Sequence, residues 1–167
     1  MPTDMADPAA RNIIKRTTLM VRDMATSVRW YEYVLGLTRW YDDEVVLSGV
    51  GLAAGQAGDR THLVILKADD PVIGMIGLLQ WVDPPLPAPP EIPTTVGYGN
   101  PTFVVASDDV RQAWQRAREL GTHVHAEPHE WSIKGAHGEI KHFIGVSLFD
   151  PDGYFYECNQ LLRVDAP

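Results

Sequence analysis

A proline-rich segment sets the strongest limit on how this chain can fold. Seven prolines fall between Asp83 and Pro101: Pro84, Pro85, Pro87, Pro89, Pro90, Pro93 and Pro101. Proline fixes φ and lacks a backbone donor, so this density excludes a helix or a central strand. We interpret residues 84–101 as a stiff, extended linker between residues 12–83 and 102–163, with a Pro-rich recognition motif as the functional alternative. Residues 1–11 are polar and contain proline, and we expect a flexible tail there.

The two halves repeat one order of elements. In the first half, the alternation of Ile13–Val21 predicts a strand, Asp23 is a candidate helix N-cap, and Gly36 is the expected helix stop. Three further strands are predicted at Leu37–Val45, Thr61–Lys67 and Met75–Val82. The second half predicts a strand, a helix and three strands at Thr102–Ala106, Val110–Leu120, His123–Ala126, Ile140–Phe149 and Tyr154–Leu161. Each half therefore forms a βαβββ unit, and the chain is an internal structural duplication.

The sequence Asp-Pro-Asp-Gly, residues 150–153, predicts a tight turn that leads into the last strand. Pro151 presets φ for the turn and Gly153 allows a positive φ. Side chains alternate along a strand, so Phe155, Glu157 and Asn159 share one face. A carboxylate in the middle of a strand needs a partner, a metal or a wet cavity, unless the strand is an edge with Glu157 in solvent.

Length and composition narrow the class of protein. A chain of 167 residues with 45% hydrophobic and 22% charged residues is typical of one soluble globular domain. A net charge of -8 argues against nucleic acid as a partner. The single cysteine, Cys158, excludes an internal disulfide and fits a reducing compartment. No signal-peptide pattern or apolar stretch of membrane-spanning length is present, so we expect a cytoplasmic protein with no membrane partner.

Two motifs together resemble the vicinal oxygen chelate family of glyoxalases, bleomycin-resistance proteins and extradiol dioxygenases. The first contains Val21-x-Asp23, Ser27, Trp30-Tyr31 and Leu35-Gly36, and the second is the turn at residues 150–153 with Glu157 four residues beyond its glycine. The resemblance covers about residues 12–83 and 100–162. It implies an α+β fold in which two paired βαβββ modules form a curved, partly open mixed sheet around a cavity, with helices outside. It also implies a small-molecule ligand and a homodimer.

The metal site of this family is degenerate in the present sequence. In metal-using members, the ligands lie on the first and last strands of each module. Carried over, these positions are Arg16, Leu78, Thr102 and Glu157, and only Glu157 is a ligand type. Arginine cannot deprotonate to bind a metal, and one carboxylate does not hold a divalent ion alone. We therefore expect no metal and no cofactor; a divalent metal would need a two-residue slip that brings in Gln80 beside Glu157.

The histidines and one tryptophan offer further candidates. His123 and His125 share a strand face at a spacing that can chelate a metal, although such pairs also occur on exposed strands. His142 could act as an acid or base near neutral pH if it faces the cavity, and otherwise it is a satisfied strand histidine. Trp131 lies between His129 and two glycines, which predicts a position on a lid.

The leading hypothesis is a small-molecule-binding protein with a degenerate metal site. As a metal-independent isomerase or lyase, it would use Glu157 as general base, Arg16 to hold an oxyanion and His142 as a further acid or base. As a binding protein, it would sequester its ligand. Arg16 and Glu157 are expected to approach each other in either case. The predicted substrate contacts are Thr102, Leu78, Gln80 and Trp131. The alternative is a metal-dependent glyoxalase-like lyase or extradiol-type dioxygenase with a non-standard ligand set.

Overall fold

A computed structural model describes residues 12–167 as two βαβββ modules. The predicted tail, residues 1–11, lies outside the described residues. The first module contains β1 Arg16–Met20, α1 Met24–Tyr33, β2 Thr38–Val46, β3 Arg60–Lys67 and β4 Met75–Asp83. The second contains β5 Thr102–Ala106, α2 Val110–Glu119, β6 Val124–Lys134, β7 Ile140–Phe149 and β8 Phe155–Asp165. Within residues 12–167, neither helix is long and apolar enough to cross a membrane.

Each module forms a four-stranded mixed sheet of the same topology. The strand orders are β1-β4-β3-β2 and β5-β8-β7-β6. The first and last strands of each module pair in parallel, and the other neighbours pair antiparallel. The α+β architecture predicted from the sequence is confirmed.

Both helices begin in the same way, because the duplicated sequence places equivalent caps. The Asp23 carboxylate accepts a hydrogen bond from the Thr26 backbone N–H at 2.8 Å, and the Asp109 carboxylate accepts one from Gln112 at 3.0 Å. Such N-caps satisfy donors that the first helical turn leaves unpaired.

Both helices pack against one hydrophobic core. From the strands it takes side chains such as Leu19 and Leu78 in the first module and Val146 in the second, and from the helices Trp30 and Val110. Since side chains alternate along a strand, the intervening residues point to the opposite side of each sheet. We call that side the open face; it carries Arg16, Thr18, Gly77, Val104 and Glu157 among others.

The Asp-Pro-Asp-Gly turn joins the two modules. The Tyr31 hydroxyl of α1 donates to Asp150 Oδ2 at 2.7 Å and lies 2.9 Å from the Tyr156 hydroxyl. The Ser27 hydroxyl donates to Asp152 Oδ2 at 3.0 Å. Both aspartates are buried. The turn that the sequence predicts therefore also provides the polar contacts between modules.

The β6–β7 hairpin is longer than predicted. Strand β6 continues to Lys134 and pairs with β7 from Val124 opposite Leu148 to Lys134 opposite Ile140. Trp131 therefore lies inside a strand, and its predicted position on a lid is wrong. The glycines that suggested a loop belong only to the hairpin turn, where the Gly135 N–H donates to the Glu139 carbonyl at 2.8 Å.

Candidate functional site

On the open face of the first module, Arg16 and Thr18 lie over a glycine. A side chain at Gly77 would place its Cβ 2.8 Å from Thr18 Oγ1 and 3.1 Å from Arg16 Cδ. The absence of a side chain at Gly77 is what lets Arg16 lie across β4. Arg16 is exposed, and within residues 12–167 its guanidinium makes no hydrogen bond or ion pair.

Glu157 occupies the corresponding face of the second module. It is half-buried, with Val104 of β5 opposite it on one side and Ser147 of β7 on the other. Its carboxylate has no hydrogen-bond or ion-pair partner in the described part of the chain. The predicted contact with Arg16 is not observed, because the strands beside Glu157 both belong to its own module.

The placement of Leu78 opposite Glu157 needs a correction. Thr18 pairs with Gly77 in the first module, and Val104 pairs with Glu157 in the second, so Gly77 is the counterpart of Glu157. A register error of one residue moves a side chain to the other face of the sheet. Leu78 is accordingly fully buried under the helices and cannot contact a ligand on the open face.

Gln80 shares the helix-covered face with Leu78. Its Oε1 accepts a hydrogen bond from the Met24 backbone N–H at 2.7 Å, at the start of α1. In the second module, Gln160 Oε1 accepts one from the Val110 N–H at 3.3 Å. Each glutamine thus satisfies a donor of its own helix, and Gln80 does not join Glu157 as a metal ligand on the open face.

Trp131 and Thr102 do lie on the open face. The Trp131 ring stacks on Phe143 with centroids 4.8 Å apart, and its Nε1–H donates to Asn159 Oδ1 at 3.1 Å. Asn159 is two residues beyond Glu157 on the same face of β8. Thr102 is exposed at the start of β5, opposite Phe155. The Trp131 and Phe143 rings form an aromatic wall further along this face, with Asn159 between them and Glu157 on β8.

His142 points away from this wall. It pairs with Ser132, one residue along from the Trp131–Phe143 pair, and therefore lies on the opposite face of β7. Its ring nitrogens are 2.7 Å from Ser132 Oγ and 2.7 Å from Asp165 Oδ2. The hydrogen bond from His142 is the largest factor that lowers the pKa of Asp165. His142 does not reach Glu157, which removes it from the candidate site.

The residues at the family's metal positions do not fit a metal ion. Arg16 is a cation, Gly77 has no side chain, Thr102 is a neutral hydroxyl and Glu157 is the single carboxylate. A divalent ion needs several oxygen, nitrogen or sulfur ligands at once. Nor do three or more histidine, cysteine, aspartate or glutamate side chains group to hold a metal anywhere in residues 12–167.

The linker encloses a cavity that sequence reasoning missed. Its volume is about 450 Å³, and it lies between the linker and the ends of β1, β4 and β8. Met20, Trp81 and Phe155 line it from the open face, and Leu86 and Val96 line it from the linker. The proline density of residues 84–101 predicted an extended path, but nothing in the pattern showed that this path is docked against the sheets.

Comparisons with known proteins identify the family to which this paired-module fold belongs. The sequence pattern of the Glyoxalase/Bleomycin resistance protein/Dioxygenase superfamily matches residues 13–158, and the chain belongs to that superfamily. None of the curated protein sequences matches this chain significantly.

Solved structures share the fold at low sequence identity. A glyoxalase family protein from Bacillus cereus superposes with a TM-score of 0.72 at 13% identity, over 95% of this chain and 100% of that chain. Glyoxalase I of Leishmania major, described as trypanothione-dependent, superposes with a TM-score of 0.58 at 15% identity, over 90% of this chain and 87% of that chain. These likenesses concern the fold.

Proposed function

We propose that this protein binds a small organic molecule on the open face of its second module without a metal ion. The observation that carries the proposal is the half-buried Glu157 carboxylate, which has no partner among residues 12–167. A half-buried carboxylate gains from a hydrogen-bond donor or a cation. The stacked Trp131 and Phe143 rings supply an apolar wall further along the same face, with Asn159 between them and Glu157. The ligand class that this arrangement favours is an aromatic compound that carries an amine, amide or hydroxyl donor.

The test is a thermal-shift screen of aromatic amines, amides and phenols, followed by calorimetry of the compounds that stabilise the protein. Glu157→Gln keeps the size of the side chain but removes its charge, and we expect it to weaken binding of cationic ligands at least tenfold, about 1.4 kcal/mol. Glu130→Gln is the matched control, because Glu130 lies on the same sheet but neighbours Trp131 on the other face. Equal effects of both substitutions would contradict the assignment of Glu157.

A metal-independent isomerase or lyase is the second candidate, and the unpartnered Arg16 guanidinium on the open face favours it. The ligand would span the two modules, since Arg16 and Val104, the β5 neighbour of Glu157, line one cavity. Glu157 would remove a proton from a carbon next to a carbonyl, and Arg16 would stabilise the oxyanion that forms. Ligands found in the screen can be incubated with the protein in deuterium oxide. Exchange at the acidic carbon that is lost in both Glu157→Gln and Arg16→Met supports the enzyme; ligand binding without exchange supports sequestration.

A further inference from the structure

The proline-rich linker is held against the sheets at several points. Arg22 Nη2 donates to the Pro89 and Glu91 carbonyls at 3.1 and 3.5 Å, and its Nη1 donates to Asp152 Oδ1 at 2.9 Å. The Asp152 side chain is 3% exposed, so this ion pair is largely shielded from solvent on the carboxylate side. Arg22 therefore ties the linker to the turn that joins the modules.

A second contact holds the linker at Pro93, four residues after Pro89. The Gly153 backbone lies so close to Pro93 that a Cβ at Gly153 would be 2.6 Å from Pro93 Cδ and 2.8 Å from its carbonyl oxygen. Proline also restricts the backbone of the linker itself. With both ends of residues 89–93 held, the middle of the linker wall is formed before any ligand arrives, and binding does not have to order that part.

The lining of the cavity is mainly apolar with a few polar groups. Met20, Trp81, Leu86 and Phe155 supply aliphatic and aromatic surface. Gln80 points to the helix-covered face of β4, but it follows Leu79, the partner of the last β1 residue, and so lines the cavity beyond the end of β1. Its Oε1 accepts from the Met24 N–H, and its amide NH₂ makes no hydrogen bond within residues 12–167. Ligand pockets typically have volumes of about 300–1,000 Å³ and combine apolar walls with a small number of such polar groups.

We propose that this linker cavity is a second ligand site, which takes a compact aromatic molecule carrying a carbonyl or another hydrogen-bond acceptor. The ring lies between Met20, Trp81 and Phe155, and the acceptor faces the Gln80 amide. The site is separate from the Glu157 carboxylate, which does not line the cavity. It needs neither a metal ion nor the open-face ligand.

Prodan, a neutral naphthyl ketone whose emission reports the polarity around it, is a suitable probe. We expect saturable binding of one Prodan per chain with a blue shift of its emission. Met20→Trp fills the cavity and should raise the Kd at least tenfold. The control is Val104→Trp, another open-face position on a first strand, which is 70% exposed, pairs with Glu157 and does not line the cavity. It should leave the Kd for Prodan within twofold.

The two substitutions separate this proposal from the proposed function. Val104→Trp should block ligands of the open face and spare Prodan, and Met20→Trp should do the reverse. Loss of Prodan binding in Val104→Trp but not in Met20→Trp would overturn the linker site, as would the absence of saturable binding.

A second readout does not depend on the folding of Met20→Trp. The wild-type protein labelled with ¹³C at its five methionine methyl groups gives one signal for each methionine. Prodan should shift the Met20 signal most and leave that of Met75, which is buried at the start of β4 and does not line the cavity, nearly unchanged. Equal shifts of all signals, or none at Met20, would contradict the site.

Discussion

Asp150 is a buried carboxyl whose pKa depends on its surroundings. Burial raises its pKa from 3.8 to about 6, against the opposing effect of hydrogen bonds from Tyr31 and the backbone N–H groups of Asp152 and Tyr154. The Tyr31 hydroxyl can also donate to Tyr156, so the network accepts either charge state of Asp150. Folding therefore favours the neutral carboxyl relative to the unfolded chain.

The raised pKa predicts a pH-dependent contribution to stability. The contribution of Asp150 is fully present below pH 3.8 and is lost as pH rises through about 6. Asp150→Asn resembles the neutral carboxyl and cannot ionise. Its free energy of unfolding, relative to wild type, should therefore rise between pH 4 and pH 7 by roughly 2 kcal/mol. Urea unfolding of both proteins across this range measures the difference; parallel curves would show that Asp150 has an ordinary pKa.

Cys158 should be chemically inert in the folded protein. Burial under the helices leaves it 1% exposed and raises the pKa of its thiol to about 12. Because the thiolate is the reactive form, reaction with Ellman's reagent at pH 8 should be slower by about three orders of magnitude than that of an exposed thiol. An Ala106→Cys variant provides the comparison, since Ala106 is exposed on β5. Equal reactivity of both thiols in the native variant would contradict the burial of Cys158.

At the scale of elements, the linker and the turn constrain each other. Gly153 has φ +91°, a conformation that a side chain disfavours, and Pro93 fills the space a Cβ would need. The linker can lie against the turn only because residue 153 is a glycine.

This close approach predicts unequal costs for two glycine substitutions. Gly99 has φ +86°, and no atom lies within 4 Å of an added Cβ. Gly99→Ala therefore strains only the backbone and should lower the free energy of unfolding by about 1 kcal/mol. Gly153→Ala should cost about 1–2 kcal/mol more, because it must also displace Pro93. Denaturant unfolding of the two variants tests this. If both cost the same, Pro93 is not packed on the turn.

Elements that local sequence patterns determine are predicted well, and features that depend on pairing with a distant strand are not. Alternation and caps are local, so Thr102–Ala106 and Ile140–Phe149 have the bounds that the pattern predicts. The extent of β6 depends on its pairing with β7, which its own residues do not show. The counterpart of Glu157 depends on strand register, and the residue expected there from the sequence, Leu78, is wrong by one position.

At the scale of the whole molecule, the sequence predicted two modules but not what joins them. The family motif marked Asp150, Asp152 and Tyr31 as parts of a turn and a helix, and their mutual contacts are more than a hundred residues apart in sequence. The spacing of apolar residues along the chain does not indicate contacts between residues that are so far apart in sequence. The same holds for the linker cavity, whose walls come from both modules and the segment between them.

At the scale of the whole molecule, the proposed function depends on a set of positions in which only Glu157 is a residue type that binds metals. Arg16 and Gly77 stand where the first module would supply ligands, and Thr102 stands on the first strand of the second. If this set cannot hold a metal, ligand binding on the open face has to rely on Glu157, Trp131 and their neighbours alone.

Elemental analysis tests this claim most directly. The protein is equilibrated with Fe²⁺, Mn²⁺, Ni²⁺ or Zn²⁺, passed through a desalting column and measured beside Glu157→Gln. We predict well under one metal per chain in wild type, with no difference between the two proteins. Close to one metal per wild-type chain, lost in Glu157→Gln, would contradict the account and show that the family's metal centre persists with a different ligand set.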